Sequence, residues 1–255
     1  MKNDLQEEKD QSSELEKPYF GKTIRFFVSY STKDKLIAAK IKELLERYGF
    51  EVFLAHEDIR PSEDWQDILL QNLESTDIFV PIISHQFKKS SWTDQESGYA
   101  LARGKKIIPL AINQAMPYGF IAAIQAVKCK VKDLKADLLV PCERIVEEVK
   151  KDAKFRESYV DSLVRVFGGS YSFDNASSLS IELEKIDDFS SEQINQIAKY
   201  SLENSQIKQS FKTRPRVMRI VKKFEGKIDS ELLKKFNLEY NPQEVDVEDE
   251  EEIPF

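Results

Sequence analysis

Short apolar segments alternate with amphipathic segments along the first half of the chain, and this alternation constrains the fold more than any other feature. The apolar segments are rich in β-branched and aromatic residues, as strands are. The segments between them carry apolar residues at three- and four-residue spacing, which is typical of helices. Strict alternation of strand and helix predicts a parallel sheet covered on both faces. The predicted strands are Ile24–Tyr30, Phe50–Leu54, Asp77–Ile83, Lys106–Ile112 and Ala126–Cys129.

Residues with strong positional preferences mark several boundaries of these elements. Ser31 or Thr32 can cap the first helix, and Gly49 is suited to end it in the left-handed conformation. Gly104 ends the helix that begins near residue 91. Pro81 lacks a backbone donor and predicts a bulge or an irregular end in the third strand.

The pattern changes after about residue 131, where helical segments follow one another without strands between them. A short helix is also predicted for residues 120–125. Ser190 and Gln193 form a capping-box pattern, Pro215 suits a first helical turn, and Asp229 or Ser230 can cap a last helix. We therefore predict four parts: residues 1–21 disordered, 22–150 an α/β domain, 151–240 a small all-α domain and 241–255 a disordered acidic tail.

Charge and composition exclude several classes of function. The net charge is -7, and Glu244–Glu252 contains seven acids and no base, so the rest of the chain is near neutral and direct nucleic-acid binding is not expected. Apolar stretches such as Ile107–Ile112 are too short to cross a membrane. The N-terminus lacks the apolar core of a secretory signal. Two cysteines and two histidines without metal-site spacing predict no metal site, and free thiols indicate the cytoplasm.

Ligands of parallel sheets bind at the carboxyl ends of the strands, which directs attention to three loops. These loops are residues 30–32, 54–65 and 84–96. Neither a GxGxxG nor a GxxxxGK[ST] pattern follows the first strand, so a Rossmann cofactor site and a P-loop are not supported.

Four sequence blocks in a fixed order carry a family resemblance. The blocks are IRFFVSYSTKD, GFEVFLAHEDIRPSEDWQDIL, STDIFVPIIS and SSWTDQESGYALARGKKIIPL. Together they resemble a Toll/interleukin-1 receptor (TIR) domain of the prokaryotic type, over about residues 22–150. The resemblance implies a flavodoxin-like five-stranded parallel sheet, in agreement with the alternation.

The resemblance also implies a chemistry, because some TIR domains cleave NAD at the nicotinamide–ribose bond. Such enzymes carry a W-x-x-x-E motif, which here is Trp92 to Glu96, with Glu96 at the position of the catalytic glutamate. NAD would be the substrate, with no separate cofactor. Residues 55–64 match the family's mobile BB loop. The implied substrate-binding residues are Tyr30, Ser31, Thr32, Phe53, Arg60 and Trp92. Some animal relatives carry arginines where Ser31 and Thr32 stand, so how the diphosphate would be held stays open.

Each of these residues also has an ordinary structural interpretation. Glu96 taken alone reads as a solvated helix residue, and Trp92 as a packing residue. Phe53 fits the core as well as a ligand contact. Trp65 fits a core or loop anchor better than a binding role. His56 and His85 read as surface residues, and Cys129 as a filler of the apolar side of its strand.

Two other functions stay open beside NAD cleavage to ADP-ribose or a cyclic isomer. One is a non-catalytic TIR scaffold that acts by TIR–TIR association. The other is a glycosyl-bond enzyme of the nucleoside deoxyribosyltransferase kind. By family analogy the protein forms homo-oligomers, the C-terminal helices receive a protein or ligand trigger, and the pathway is prokaryotic defence against phage.

Overall fold

We describe the protein from a computed structural model, which describes residues 22–55, 65–133 and 137–241. The predictions for residues 1–21, for the tail beyond residue 241 and for positions 56–64 of the BB-like loop lie outside these ranges. His56 and Arg60 belong to that loop.

The amino-terminal half of the described chain forms one parallel sheet, as predicted. The strands are β1 (Arg25–Ser29), β2 (Glu51–Leu54), β3 (Ile78–Ile83), β4 (Lys106–Ile107), β5 (Leu110–Ile112) and β6 (Val127–Cys129). Their spatial order is β2-β1-β3-β5-β6, and β4 also pairs with β3. Because β4 and β5 follow each other beside β3, the sheet has the flavodoxin-like order.

Two local predictions about the strands were wrong, and one proline accounts for the first. The predicted strand over residues 106–112 is interrupted between Ile107 and Leu110, where Pro109 cannot donate to the ladder. The bulge predicted at Pro81 does not form, because β3 keeps continuous register with β1 through the pair Ser29–Pro81. Pro81 lies opposite the gap between β4 and β5, where the ladder is already interrupted.

Helices cover both faces of the sheet. One face packs on α1 (Lys35–Glu46) and α4 (Leu139–Lys150), and the other on α2 (Trp65–Ser75) and α3 (Ser91–Ala102). Ser31 caps the short turn that leads into α1, as predicted. Gly49 and Gly104 adopt positive φ angles of 80° and 62° behind α1 and α3. The helix predicted over residues 120–125 is reduced to one 3₁₀ turn, Gly119–Ile121.

The C-terminal region is all-helical, as predicted. Ser190 and Gln193 form the predicted capping box, Asp229 caps the last helix and Pro215 lies in the first turn of its helix. Within the described residues, no helix has the length and apolar character that a membrane crossing requires. The helices are α5 (Arg156–Gly168), α6 (Phe173–Glu184), α7 (Ser191–Glu203), α8 (Ser205–Lys208), α9 (Arg214–Lys223) and α10 (Ser230–Tyr240).

One continuous apolar core joins the sheet to the C-terminal helices. The ring of Phe50, which precedes β2, lies 5.0 Å from that of Phe26 in β1 and 6.2 Å from that of Tyr159 in α5. The Arg165 guanidinium donates to the Thr23 hydroxyl and to the Gly49 carbonyl, each at 2.5 Å. The predicted domain boundary at residue 150 therefore lies within a packed region, and it stays a prediction.

Gly49 gives this junction a direct test. A Cβ at Gly49 would lie 2.5 Å from the Ser162 carbonyl oxygen of α5, whereas a Cβ at Gly104 would meet nothing within 4 Å. Both glycines have positive φ, so Gly104→Ala measures backbone strain alone, about 1 kcal/mol. We expect Gly49→Ala to lower the free energy of unfolding by about 1–3 kcal/mol more than Gly104→Ala, because overpacking adds to the strain. Urea unfolding followed by circular dichroism measures this difference, and equal losses for the two variants would contradict the observed docking of α5.

Candidate active site

The inward face of α3 is unusually polar for a helix packed on a sheet. Its buried residues are Thr93, Glu96, Ser97 and Ala100. The Thr93 hydroxyl donates to the carbonyls of Phe87 and Ser90, at 2.9 and 2.8 Å, and so anchors the start of the helix. The Ser97 hydroxyl donates to the Thr93 carbonyl at 2.7 Å, which leaves Glu96 as the buried ionisable group of this face.

Glu96 is only 1% exposed and has one hydrogen-bonded oxygen. The hydroxyl of Ser29, the last residue of β1, donates to Glu96 Oε2. The other oxygen, Oε1, has no hydrogen-bond partner among the described residues. A buried polar atom without a partner is costly, so it points to a role beyond packing.

Burial raises the pKa of the Glu96 carboxyl to about 7, and the hydrogen bond from Ser29 opposes this rise. Removal from water disfavours the charged form, whereas a donor to the carboxylate favours it. Near neutral pH, Glu96 therefore exists both as a carboxylate and as a carboxylic acid.

A cavity of about 270 Å³ lies between α2 and α3 beside this carboxyl group. Its lining is mixed, with Gln66 and three leucines on the α2 side and polar or aromatic side chains on the α3 side. Three other cavities among the described residues have similar volumes, of about 270 to 300 Å³, so size alone does not single this one out. Glu96 does. The lining residues are Gln66, Leu69, Leu70, Leu73, Trp92, Gln95, Glu96 and Tyr99.

Trp92 lies in the same cavity wall as Glu96, one helical turn earlier. Its ring packs edge-on against that of Trp65 at the start of α2, with the centroids 4.2 Å apart and the planes at 83°. Both indoles are half-buried. The position of Trp92 is thus compatible with both interpretations, as a packing residue and as a wall of the pocket.

The remaining predicted site residues that the structure describes are not among those that line this cavity. Tyr30 is 1% exposed and belongs to the core on the opposite face of the sheet, with α1 and α4. Ser31 is buried and accepts from the Lys33 amide as a helix cap, while Thr32 is exposed. Phe53 packs on Phe27, with the ring centroids 5.2 Å apart, and does not line the cavity. The structure therefore brings together Glu96 and Trp92 from the predicted set, and Arg60 lies outside the described residues.

Ser29 and Trp65 are among the neighbours of Glu96 and Trp92 that the sequence analysis did not select as site residues. Ser29 could have been found from the period of two along β1. Phe26, Val28 and Tyr30 face one side of the sheet, so Ser29 must face the other, which is the side of α3.

The buried carboxyl group makes a prediction about stability and pH. The folded-state pKa of Glu96 is about 7, above its ordinary value of 4.5, so stability is lost as the pH rises through this window. Glu96→Gln removes this loss, which is on the order of 3 kcal/mol when the group is fully ionised. We expect the Gln variant to have a higher Tm than the parent at pH 8 and a similar Tm at pH 5. Thermal unfolding at both pH values measures this, with the exposed Glu157→Gln of α5 as the control. A difference between Glu96→Gln and the parent that does not change with pH would contradict the assigned pKa.

Comparison with known proteins gives this geometry a family context. Residues 26–139, less than half of the chain, match the family model described as TIR domain. None of the curated proteins matches the chain.

Solved structures with similar folds include the TIR domain of a Toll-related receptor from Hydra magnipapillata. It is 16% identical, the alignment covers 50% of this chain and 98% of that one, and the TM-score is 0.41. Another is the CMP N-glycosidase BcmB of Clostridium botulinum, at 20% identity, 48% and 98% coverage and a TM-score of 0.36. We draw nothing about activity from likenesses this distant. The family match and the parallel sheet agree: residues 26–139 of this chain match the TIR family model in sequence and have the parallel-sheet fold of a TIR domain.

Proposed function

We propose that this TIR domain cleaves NAD at the nicotinamide–ribose bond, releasing nicotinamide with ADP-ribose or a cyclic isomer of it. One observation carries the proposal. Glu96 is a buried carboxyl group near the carboxyl end of β1, beside a cavity walled by Trp92. One of its oxygens is held by Ser29, and the other has no hydrogen-bond partner in the part of the chain that the structure describes. Glu96 lies in a W-x-x-x-E motif, and it is at this motif that the chain resembles NAD-cleaving TIR domains.

A single carboxylate suffices for this reaction. Nicotinamide carries a positive charge in NAD and leaves as a neutral base, so its departure needs no general acid. The transition state resembles a ribosyl oxocarbenium ion, which a fixed carboxylate stabilises. Burial strengthens that attraction, because charges interact more strongly where water is excluded. Water exclusion also decides whether the ribosyl cation reacts with water or with another part of the same substrate, which gives the linear or the cyclic product.

Glu96 at 1% exposure is closed off, so substrate reaches it only after part of the cavity wall moves. We place that movement at the contact of Trp92 with Trp65, which joins α3 to the start of α2. In this proposal, assembly into a homo-oligomer through TIR–TIR contacts opens the site. The helical region receives the trigger, and the product or the loss of NAD signals prokaryotic defence in the cytoplasm.

The same burial favours a second candidate function. A TIR module that acts only by association needs no accessible carboxylate, and Glu96 would then be a structural residue bonded to Ser29. This scaffold would assemble without consuming NAD.

Nicotinamide release separates the two functions. We expect Glu96→Gln to lower the rate at least about 100-fold, because the amide keeps the shape of the side chain but loses the charge that stabilises the cation. The assay uses the full chain with NAD, in dilute solution and under conditions that promote assembly. Chromatography of the products reports both nicotinamide and the linear or cyclic partner.

Asp94→Asn is the matched control for this assay. Asp94 is an exposed carboxylate on the same helix, bonded to the Tyr118 hydroxyl at 2.5 Å and outside the cavity. We expect this variant to keep the parent rate. Equal release by the parent and Glu96→Gln in both states would refute catalysis by Glu96, and assembly of the parent without nicotinamide release would support the scaffold.

The pKa of Glu96 also predicts the pH dependence of the reaction. The carboxylate is the active form, because a neutral acid cannot stabilise a cation, so kcat/KM should rise with pH and level off above about 7. Below that pH the rate should fall about tenfold per pH unit. Initial rates between pH 5.5 and 8.5, with circular dichroism to verify folding, measure the profile. A flat profile across this range would contradict the role of Glu96 as the ionising group.

A further inference from the structure

The Ser29 hydroxyl is placed by the most constrained part of the sheet. β1 lies between β2 and β3, and Ser29 pairs with Pro81 of β3 in continuous register. Ser29 is 0% exposed. β3 holds the backbone at Ser29 itself, and β2 pairs with β1 up to the preceding residue, Val28. Because no solvent reaches Ser29, its hydroxyl is confined to the space in front of α3.

The Ser29 hydroxyl restricts the rotation of the Glu96 carboxyl group. The terminal torsion of a glutamate is broad, so the side chain alone does not fix the plane of the carboxyl group. The bond from Ser29 to Oε2 fixes that plane and leaves Oε1 without a hydrogen-bond partner among the described residues. A donor on one oxygen also favours the charged form of the group.

We propose that Ser29 is a positioning residue that holds Glu96 in one orientation, with one oxygen bonded and the other kept available for the cationic ribosyl group of a substrate. The effect of Ser29 on catalysis rests on the proposed function. The coupling of Ser29 to Glu96 does not depend on that function. Ser29 itself touches no reacting atom. Its effect passes through the orientation and the ionisation of Glu96.

Three variants test the assignment. Ser29→Ala deletes the hydroxyl with little change in volume, and Ser29→Thr keeps a hydroxyl at the same place. Ser162→Ala removes another fully buried serine hydroxyl, which donates to the Ser158 carbonyl in α5 at 2.7 Å and lies outside the site. The three variants therefore separate the loss of this particular donor from the loss of any buried hydroxyl.

The first readout needs no activity. In protein labelled with ¹³C at glutamate carboxyls, the Glu96 signal is assigned by its loss in Glu96→Gln and titrated by NMR. We expect Glu96 to be an about tenfold weaker acid in Ser29→Ala, because the donor to its charged form is gone. It should titrate as in the parent in Ser162→Ala and near the parent in Ser29→Thr. An unchanged titration in Ser29→Ala, or an equal change in Ser162→Ala, overturns the assignment.

The second readout is the reaction with NAD. We expect Ser29→Ala to lower kcat at pH 7 about 10- to 100-fold with little change in KM, and to move the rise of the pH profile to higher pH. Full activity in Ser29→Ala overturns the assignment. If the parent itself releases no nicotinamide, the proposed function fails. The NMR titration then tests the assignment by itself. A change in the titration of Glu96 that occurs in Ser29→Ala and not in Ser162→Ala still supports the positioning of Glu96 by Ser29.

Discussion

A carboxyl group removed from water is the constraint on which the rest of this site depends. Burial of Glu96 raises its pKa to about 7, so the folded protein holds a partly ionised group where a neutral one would be more stable. The Ser29 hydroxyl offsets part of that cost. The remaining cost falls on Oε1, which has no partner within residues 22–55, 65–133 and 137–241, and a cationic transition state is the kind of ligand that would relieve it. Fold stability and the proposed activity therefore change in opposite directions as the pH rises through 7.

Most of the fold could be predicted because its signals are local. The period of the apolar residues predicts the strands and helices, and side chains with strong end preferences, such as Gly49 and Ser190, predict where helices begin or end. The two wrong predictions about strands concern positions where the neighbouring strand decides whether the ladder continues. Pro81 is tolerated because it lies opposite a gap, and that gap exists because Pro109 interrupts the next strand. A single strand read alone carries no information about its neighbour.

The site was harder to predict than the fold. Glu96 and Trp92 could be found because their motif is contiguous on one helix, and the structure places both beside one cavity. Tyr30 and Ser29 are adjacent in sequence, yet they face opposite sides of the sheet, so a resemblance aligned on the strand end selects the side chain that lies in the core. Ser29 is small and uncharged, and only its partner in space gives it a role. Phe53 packs on Phe27 in the cluster that also contains Leu69 and Leu73 of the cavity, and its role as a ligand contact stays a prediction.

The sheet also explains how the helical region and the candidate site can be related although they occupy opposite faces. β1 belongs to both. Its residues Phe26 and Val28 face the core shared with the C-terminal helices, and Phe50 links Phe26 to Tyr159 of α5. Its last residue, Ser29, faces α3 and bonds Glu96. A shift of α5 against the sheet would therefore act on the strand that sets the position of the Ser29 hydroxyl. Because a hydrogen bond weakens steeply with distance and angle, a small displacement of β1 is enough to change how Glu96 is held.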